Sequence, residues 1–378
     1  MDLAAEIAAA QDHVDAGRLE AAERHYRRIV AEVDHLASLH NLAVILNRSG
    51  RTEEAGAIFR RAAEAAPDKP FQQHAYANHL RETRRMAASE AAYRATLALD
   101  PDYPEAAFGL GCVLLAQGRF AEGWTLYDRR AGRARLLHRG LPFPEWRGEP
   151  LAGKRLLIWR EQGFGDQIMM SRFLPQLAGA SVTYAGPAQL QRLFSALPVT
   201  FEVAPTEGYP VRLHDYWILP MSLPQRLGVT VETLPNAPYL SGRPKASGGR
   251  IGVAWRGQAA NRNDPFRSLP DDFAAKLLAL PGAISLDPAD TGAADFQETA
   301  DIIAGLDLVI SVDSAVAHLA GAMGHPVWVM LAARALDWHW PRQGTSPWYP
   351  TARLFAQQTP GDWAPVVAAV GQAVLAAS

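Results

Sequence analysis

Three stretches of this sequence carry residue types that could do chemistry, and each falls where a strand should run out. The first is Gln162-Gly163-Phe164-Gly165-Asp166, set between the apolar run Arg155–Trp159 and an amphipathic helical stretch. Gly163 and Gly165 permit a tight turn and close approach of a ligand, and they leave a carboxylate at the mouth of the helix. The same Asp would cap that helix, and for an isolated GxGD capping is the commoner use. The second is Asp313-Ser314-Ala315-Val316-Ala317-His318, after the apolar run Leu306–Val312. The exposed first-turn N–H groups of a helix opening here form a site for a phosphate or pyrophosphate. Ser314 and His318 are four apart and share one face. Taken alone, Asp313 as a cap and His318 as a core histidine account for the pattern at least as well. The third is RGQAANRNDPFRSLP, which follows Ile251–Trp255 and carries Arg256, Arg262 and Arg267. Guanidinium groups near a helix N-terminus would complete a pyrophosphate site, whereas each arginine separately is an ordinary solvated charge.

These turns need a scaffold. Short apolar runs at Arg155–Trp159, Ser181–Ala185, Thr200–Val203, Tyr216–Leu219, Ile251–Trp255, Leu306–Val312 and Val327–Leu331 alternate with helical stretches. That alternation predicts parallel, doubly wound sheets, in which ligands bind beyond the carboxyl ends of the strands. A break at SGRPKASGGR divides the region into units 151–245 and 246–378, the second closed by a C-terminal helix. Nine of the ten tryptophans follow residue 145, so this half carries the heavier cores.

The first third of the chain is different. Gly17-Arg18-Leu19, Gly50-Arg51-Thr52, Arg84-Arg85-Met86 and Gly118-Arg119-Phe120 recur at intervals of 33, 34 and 34. Nine residues after each start comes an aromatic, Tyr26, Phe59, Tyr93 and Tyr127, with a small residue between at Ala22, Ala55, Ser89 and Gly123. This register resembles the tetratricopeptide repeat, a pair of antiparallel helices whose small residues allow close approach and whose aromatic fills the gap. Four units cover residues 1–130, and such a solenoid offers a concave groove for an extended peptide. The stretch 131–150, basic and punctuated by Pro and Gly, is predicted to be a linker.

Bulk composition narrows the classes. The 378 residues carry a formal charge of -2 with 48% hydrophobic and 20% charged residues, which gives no general attraction to nucleic acid. No apolar run approaches the roughly 20 residues of a membrane span. The single cysteine, Cys112, excludes an intramolecular disulfide and a Cys-based zinc site, and the N-terminus lacks a signal-peptide pattern. A reduced, cytoplasmic protein is expected.

Taken together, GFGDQIMMSRFLP and, about 150 residues on, SVDSAVAHLAGAMGHPVWVML look like the heptosyltransferase-type glycosyltransferases of the GT-B fold. The endings SPWYPTARLFAQ and PGDW are similar to those of the bacterial branch that fuses this half to tetratricopeptide repeats. The resemblance implies an α plus α/β chain: a helical solenoid, then a GT-B glycosyltransferase of two Rossmann-like units, acceptor-side and donor-side. It implies roles by position. Asp166 matches the acid proposed to deprotonate the acceptor hydroxyl, with Gln162, Gly163 and Gly165 forming the cleft loop. Arg267 matches the basic residue that meets the donor diphosphate, and Asp313, Ser314 and His318 match the segment around donor sugar and phosphates. Glu161 is the next candidate should Asp166 not be the base.

Two departures stand out. Ala315 occupies a position that is often glycine, and GAISLDPADTGAADFQETAD is shorter than its counterparts and lacks their lysine- or glycine-rich turn. Enzymes of this kind work without a metal or other cofactor, helix dipole and arginine taking its place. Asp287-Pro288-Ala289-Asp290 is accordingly read as a loop. The expected partners are a nucleotide-sugar donor and a protein or peptide acceptor, flagellin-like by resemblance, gripped by the repeats. Alternatives are a lipopolysaccharide or capsule precursor as acceptor, or a repeat scaffold whose transferase half has decayed.

Overall fold

The computed structural model describes residues 2–130, 141–204, 212–245, 250–258, 261, 264–334, 337–341 and 344–377. Compact packing divides the chain into two units, residues 1–117 and 118–378.

The first unit is helical: α1 (Leu3–Asp15), α2 (Leu19–Glu32), α3 (Leu36–Arg48), α4 (Thr52–Ala65), α5 (Pro70–Glu82), α6 (Met86–Leu99) and α7 (Pro104–Ala116). Pro70 and Pro104 stand at the first helical position, where the missing N–H is no loss. The turns inside the pairs pass through left-handed backbone at Gly17, Gly50 and Arg84, the last with φ 61°. Arg84 holds a conformation that its Cβ disfavours, at the position its sister turns give to glycine. Tyr26, Phe59 and Tyr93 are buried together with Ala22, Ala55 and Ser89, as the repeat register requires. The close approach is visible at Gly109, where a Cβ would fall 2.3 Å from the Tyr93 ring.

The second unit opens with α8 (Phe120–Tyr127) and then carries two parallel sheets. The sequence repeat thus runs to residue 130 while the compact division falls before α8. Its aromatics explain this. Trp124 packs edge-on to Trp338 at 5.2 Å and to Trp348 at 6.3 Å, so the last repeat helix is part of the transferase-half core. Residues 131–140 of the expected linker lie outside the described residues. Residues 141–150 are more than a tether: Phe143 and Trp146 are buried, and Glu145 bridges to Trp217 of the first sheet.

The first sheet has the order β3-β2-β1-β4, from β1 (Arg155–Trp159), β2 (Ser181–Gly186), β3 (Thr200–Val203) and β4 (Tyr216–Ile218). The second has the order β6-β5-β7-β8-β9, from β5 (Ile251–Ala254), β6 (Ala283–Ser285), β7 (Leu308–Val312), β8 (Val327–Leu331) and β9 (Ala352–Ala356). All pairings are parallel. The seven expected strands are present with ends shifted by at most two residues, and the edge strands β6 and β9 are additions. Leu157, Trp159 and Trp217 fill the first core. Val253, Ile310 and Met330 meet the C-terminal helix Ala364–Ala377 in the second. The loop expected at Asp287–Asp290 is instead a one-turn helix, Pro288–Thr291, because the Asp287 carboxylate accepts from the Ala289 N–H and caps it.

The sheet orders mark where a ligand belongs. The strand order reverses between β1 and β4 in one sheet and between β5 and β7 in the other, and clefts open at the carboxyl ends of such strands. The three chemical stretches follow β1, β5 and β7. One residue ties the halves together: Arg172, 2% exposed, donates to Met169 O, Pro235 O, Trp348 O and the Tyr239 hydroxyl. Its guanidinium also lies 4.8 Å from the rings of Trp348 and Tyr349.

Candidate active site

After β1 the backbone turns through Gln162, left-handed at φ 62°, into α9 (Phe164–Met170). Asp166 sits in the first turn of α9, and its carboxylate accepts from the Gly163 N–H at 3.1 Å. The cap and the chemical role are therefore compatible: one oxygen is held and the group still faces the cleft. Gly165 has a specific reason. A Cβ there would fall 2.6 Å from the His318 ring and 3.5 Å from the Ala315 Cα, so only glycine lets α9 lie against the helix that starts at Ala315. Here α10 is Asp271–Leu278, α11 Phe296–Ala304 and α12 Ala315–Ala322, the helix that follows β7.

Asp166, Arg256, Arg267, Asp313, Ser314 and His318 line one cavity of about 470 Å³, together with Gly163, Gly165, Asp337 and His339. That volume suits a small organic ligand. Arg267 ends the one-turn helix Asp264–Arg267, its Nε 3.6 Å from the Asp264 carboxylate and without a hydrogen bond among the described residues. Arg256 reaches the cavity from the end of β5, half exposed over the Trp255 ring. Ser314 caps α12: its hydroxyl accepts from the Val316 N–H and pairs with the Ser311 hydroxyl. Asp313 accepts from the Trp340 indole N–H at 2.8 Å and stands 3.9 Å from His318 Nε2, while His318 Nδ1 is 2.9 Å from the Tyr349 hydroxyl.

Electrostatics separates these groups. Burial above all, and then the charge of Asp337, pushes the Asp166 carboxyl up to about 7, against the pull of His339 and of the Gly163 N–H. Burial also raises Asp313, although His339 and Arg267 oppose it. The His318 ring is held well below the usual histidine range by burial and by the charge of His339, so it is neutral. A carboxylate titrating near 7 in a cleft is suited to taking a proton at physiological pH.

The tetratricopeptide repeat family matches residues 7–70 and 75–135, and glycosyltransferase family 9 (heptosyltransferase) matches residues 291–333. The second match runs from the Pro288–Thr291 turn through α11, β7 and α12 to the end of β8, and so contains the Asp313–His318 turn. These matches support a fusion of tetratricopeptide repeats with a family 9 glycosyltransferase domain. This glycosyltransferase is 26% identical over 448 residues to Protein FlbA of Caulobacter vibrioides, covering 93% of this chain and 74% of that protein. Among solved structures, a mutant of the Thermobaculum terrenum O-GlcNAc transferase matches 99% of the glycosyltransferase and 91% of its own chain, at 16% identity and TM-score 0.37. A tetratricopeptide repeat protein from Parabacteroides merdae matches 36% at 22% identity and TM-score 0.33, and the glycosyltransferase spans 57% of that chain.

Of the residues expected at the site, Gly163, Gly165, Asp166, Arg267, Asp313, Ser314 and His318 share the cavity wall of the glycosyltransferase, and the exposed Gln162 adjoins it. Arg262 lies outside the described residues. Glu161 turns away: both its oxygens hold Arg130, at 2.5 and 2.6 Å, in a buried cluster that leaves no room for a second base. Asp337 and His339 were not anticipated. The signal was present in Asp337-Trp338-His339-Trp340, a carboxylate and an imidazole two apart among indoles, but no periodicity or glycine turn marks that segment.

Proposed function

We propose that the glycosyltransferase moves a sugar from a nucleotide-sugar donor to a hydroxyl of a protein acceptor, flagellin-like in kind, held in the groove of the repeats. The observation that carries this reading is the meeting of Asp166, titrating near 7, with Arg256, Arg267 and the first turn of α12 around one cavity. Asp166 accepts the proton of the acceptor hydroxyl as its oxygen attacks the anomeric carbon. The bond from that carbon to the diphosphate oxygen breaks, and the electron pair leaves with the nucleoside diphosphate. A single displacement of this kind inverts the anomeric centre. The α12 N–H groups and the two guanidinium groups face the charge that develops on the leaving group, which is the part a metal plays elsewhere. We take the site to work without metal or other cofactor. Among the described residues no helix is long and apolar enough to cross a membrane. The buried Cys112 accords with a cytoplasmic setting.

The test is direct. Purified protein treated with a chelator is incubated with a panel of nucleotide-sugars and flagellin from the source bacterium, and the acceptor's intact mass is followed. A mass increment of one sugar, matched by nucleoside diphosphate release, is the expected result. Transfer to a lipopolysaccharide precursor and not to protein would replace the acceptor class. Donor binding without any transfer would leave only a scaffold.

A further inference from the structure

We infer that His339 is a ligand for the diphosphate of the sugar donor, a third cationic contact beside Arg256 and Arg267. The inference rests on the donor class proposed above. The imidazole is 3% exposed and lines the cavity; its Nδ1 faces the Asp337 carboxylate, and its Nε2 has no hydrogen-bond partner among the described residues. Burying a ring nitrogen unmet is costly unless something completes it, and an unmet Nε2 on a residue that lines a cavity points to a ligand.

The surroundings say what kind of ligand. Asp337 Oδ1 lies 3.6 Å from His339 Nδ1, with Asp313 and Asp166 beyond it. Burial disfavours the charged ring, but those carboxylates outweigh it and raise its pKa. His339 thus adds positive charge to a wall that already holds two arginines and a helix N-terminus, a set that recognises an anion. A divalent cation on Asp313, His318 and His339, whose ligating atoms lie within 4.8 Å of one another, is the competing use of the same ring. Against it stand Arg256 and Arg267 on the same cavity wall, whose positive charge repels a divalent cation.

The ring is also held in place. Trp338 packs at 5.2 Å on Trp124, 5.8 Å on Tyr127 and 5.4 Å on Trp348, and His339 is flanked by His318 at 4.9 Å and Trp340 at 5.1 Å. The last repeat helix therefore sets the position of a donor contact.

Calorimetry of inorganic pyrophosphate binding to the chelator-treated full chain tests this. His339→Gln, neutral and of similar reach, should weaken binding roughly 10- to 100-fold. His339→Arg, which keeps a cation, should restore most of it. Asp337→Asn should move the fall in affinity with rising pH to a lower pH, because the carboxylate that favours the imidazolium is gone. If Arg267→Ala weakens binding while folded His339→Gln binds like the parent, the inference fails and the donor reading stands. If the parent binds no pyrophosphate, both fail. Binding that appears only on adding manganese or zinc overturns it in favour of the cation. Should His339→Gln not fold, an unshifted pH profile in Asp337→Asn is the overturning result.

Discussion

Two groups of charged side chains lie within the transferase half, and they are treated oppositely. Near α8, Arg130 is clasped by both oxygens of Glu161, by Asp128 at 3.0 Å and by the Ser222 hydroxyl at 2.9 Å, and Arg226 reaches Asp128 and Glu145. In that cluster each guanidinium and carboxylate meets a counter-charge. In the cleft, Asp166 titrates near 7, Arg267 Nε has only a 3.6 Å ion pair with Asp264 and no hydrogen bond, and His339 Nε2 is unmet among the described residues. A buried charge is tolerated when its hydrogen bonds are complete, and incomplete ones mark a place where a ligand finishes the set. The first cluster is structure and the second is chemistry.

The largest effects should come from breaking the satisfied cluster and its aromatic neighbours. Deleting residues 1–117 should leave a soluble, nucleotide-binding protein, whereas deleting 1–130 removes α8 and Arg130, uncovers Trp338 and Trp348, and should give aggregate. Equal solubility of the two truncations by gel filtration would show that α8 is not part of this core. Asp166→Asn should lower kcat about 10²–10⁴-fold with donor affinity retained. In the parent, kcat should rise with pH through about 7 as the carboxyl ionises. Its raised pKa also means that it stabilises the fold at pH 4 and that this is lost as pH climbs through 7, so Asp166→Asn should melt higher than the parent at pH 8. A lower melting temperature there would show that the carboxylate is needed by the fold.

Arg130→Ala strands Glu161 and Asp128 and should cost about 3–5 kcal/mol in denaturant unfolding, with transfer per folded molecule unchanged. Selective loss of transfer in a stable variant would erase the distinction between the clusters. Arg267→Ala should show the reverse pattern, donor binding weaker by about 1.5–3 kcal/mol and stability nearly constant. The smallest effect compares two strained turns. Arg84 and Gln162 both hold left-handed backbone, at 61° and 62°. Glycine at either should stabilise by on the order of 0.5–1 kcal/mol, but only Gln162→Gly should also alter kcat, which steady-state rates will read.

The elements legible in the sequence were those with a period or a local rule. The repeats showed because Gly17, Gly50 and Gly118 need left-handed backbone and their aromatics follow at a constant distance. β1 and β7 showed because Leu156–Trp159 and Val309–Val312 are buried on both faces and therefore continuously apolar. β6 is three half-buried residues at a sheet edge, and β9 mixes Arg353 with apolar residues, so neither rises above its flanks. Glu161 looked available because its partner, Arg130, is 31 residues away and follows no motif. Asp337 and His339 reach the cleft only because Trp338 is clamped by α8, a contact across more than two hundred residues that no local pattern carries.

The buried guanidinium of Arg172 has a mechanical consequence. Its four donated bonds go to the first half, to the segment joining the halves and to the loop after β8 in the second. Pulling the halves straight apart would strip those bonds from a charge with no water to replace them, at a cost of several kcal/mol. A rotation centred on Arg172 would keep them. The cleft is therefore expected to open like a hinged jaw about this side chain, its lips travelling while the region around Ile168–Arg172 and Pro235–Tyr239 stays still. Amide exchange that is slow there both with and without nucleotide, and faster at Gly163–Asp166 without it, is the signature; uniform acceleration throughout would contradict it.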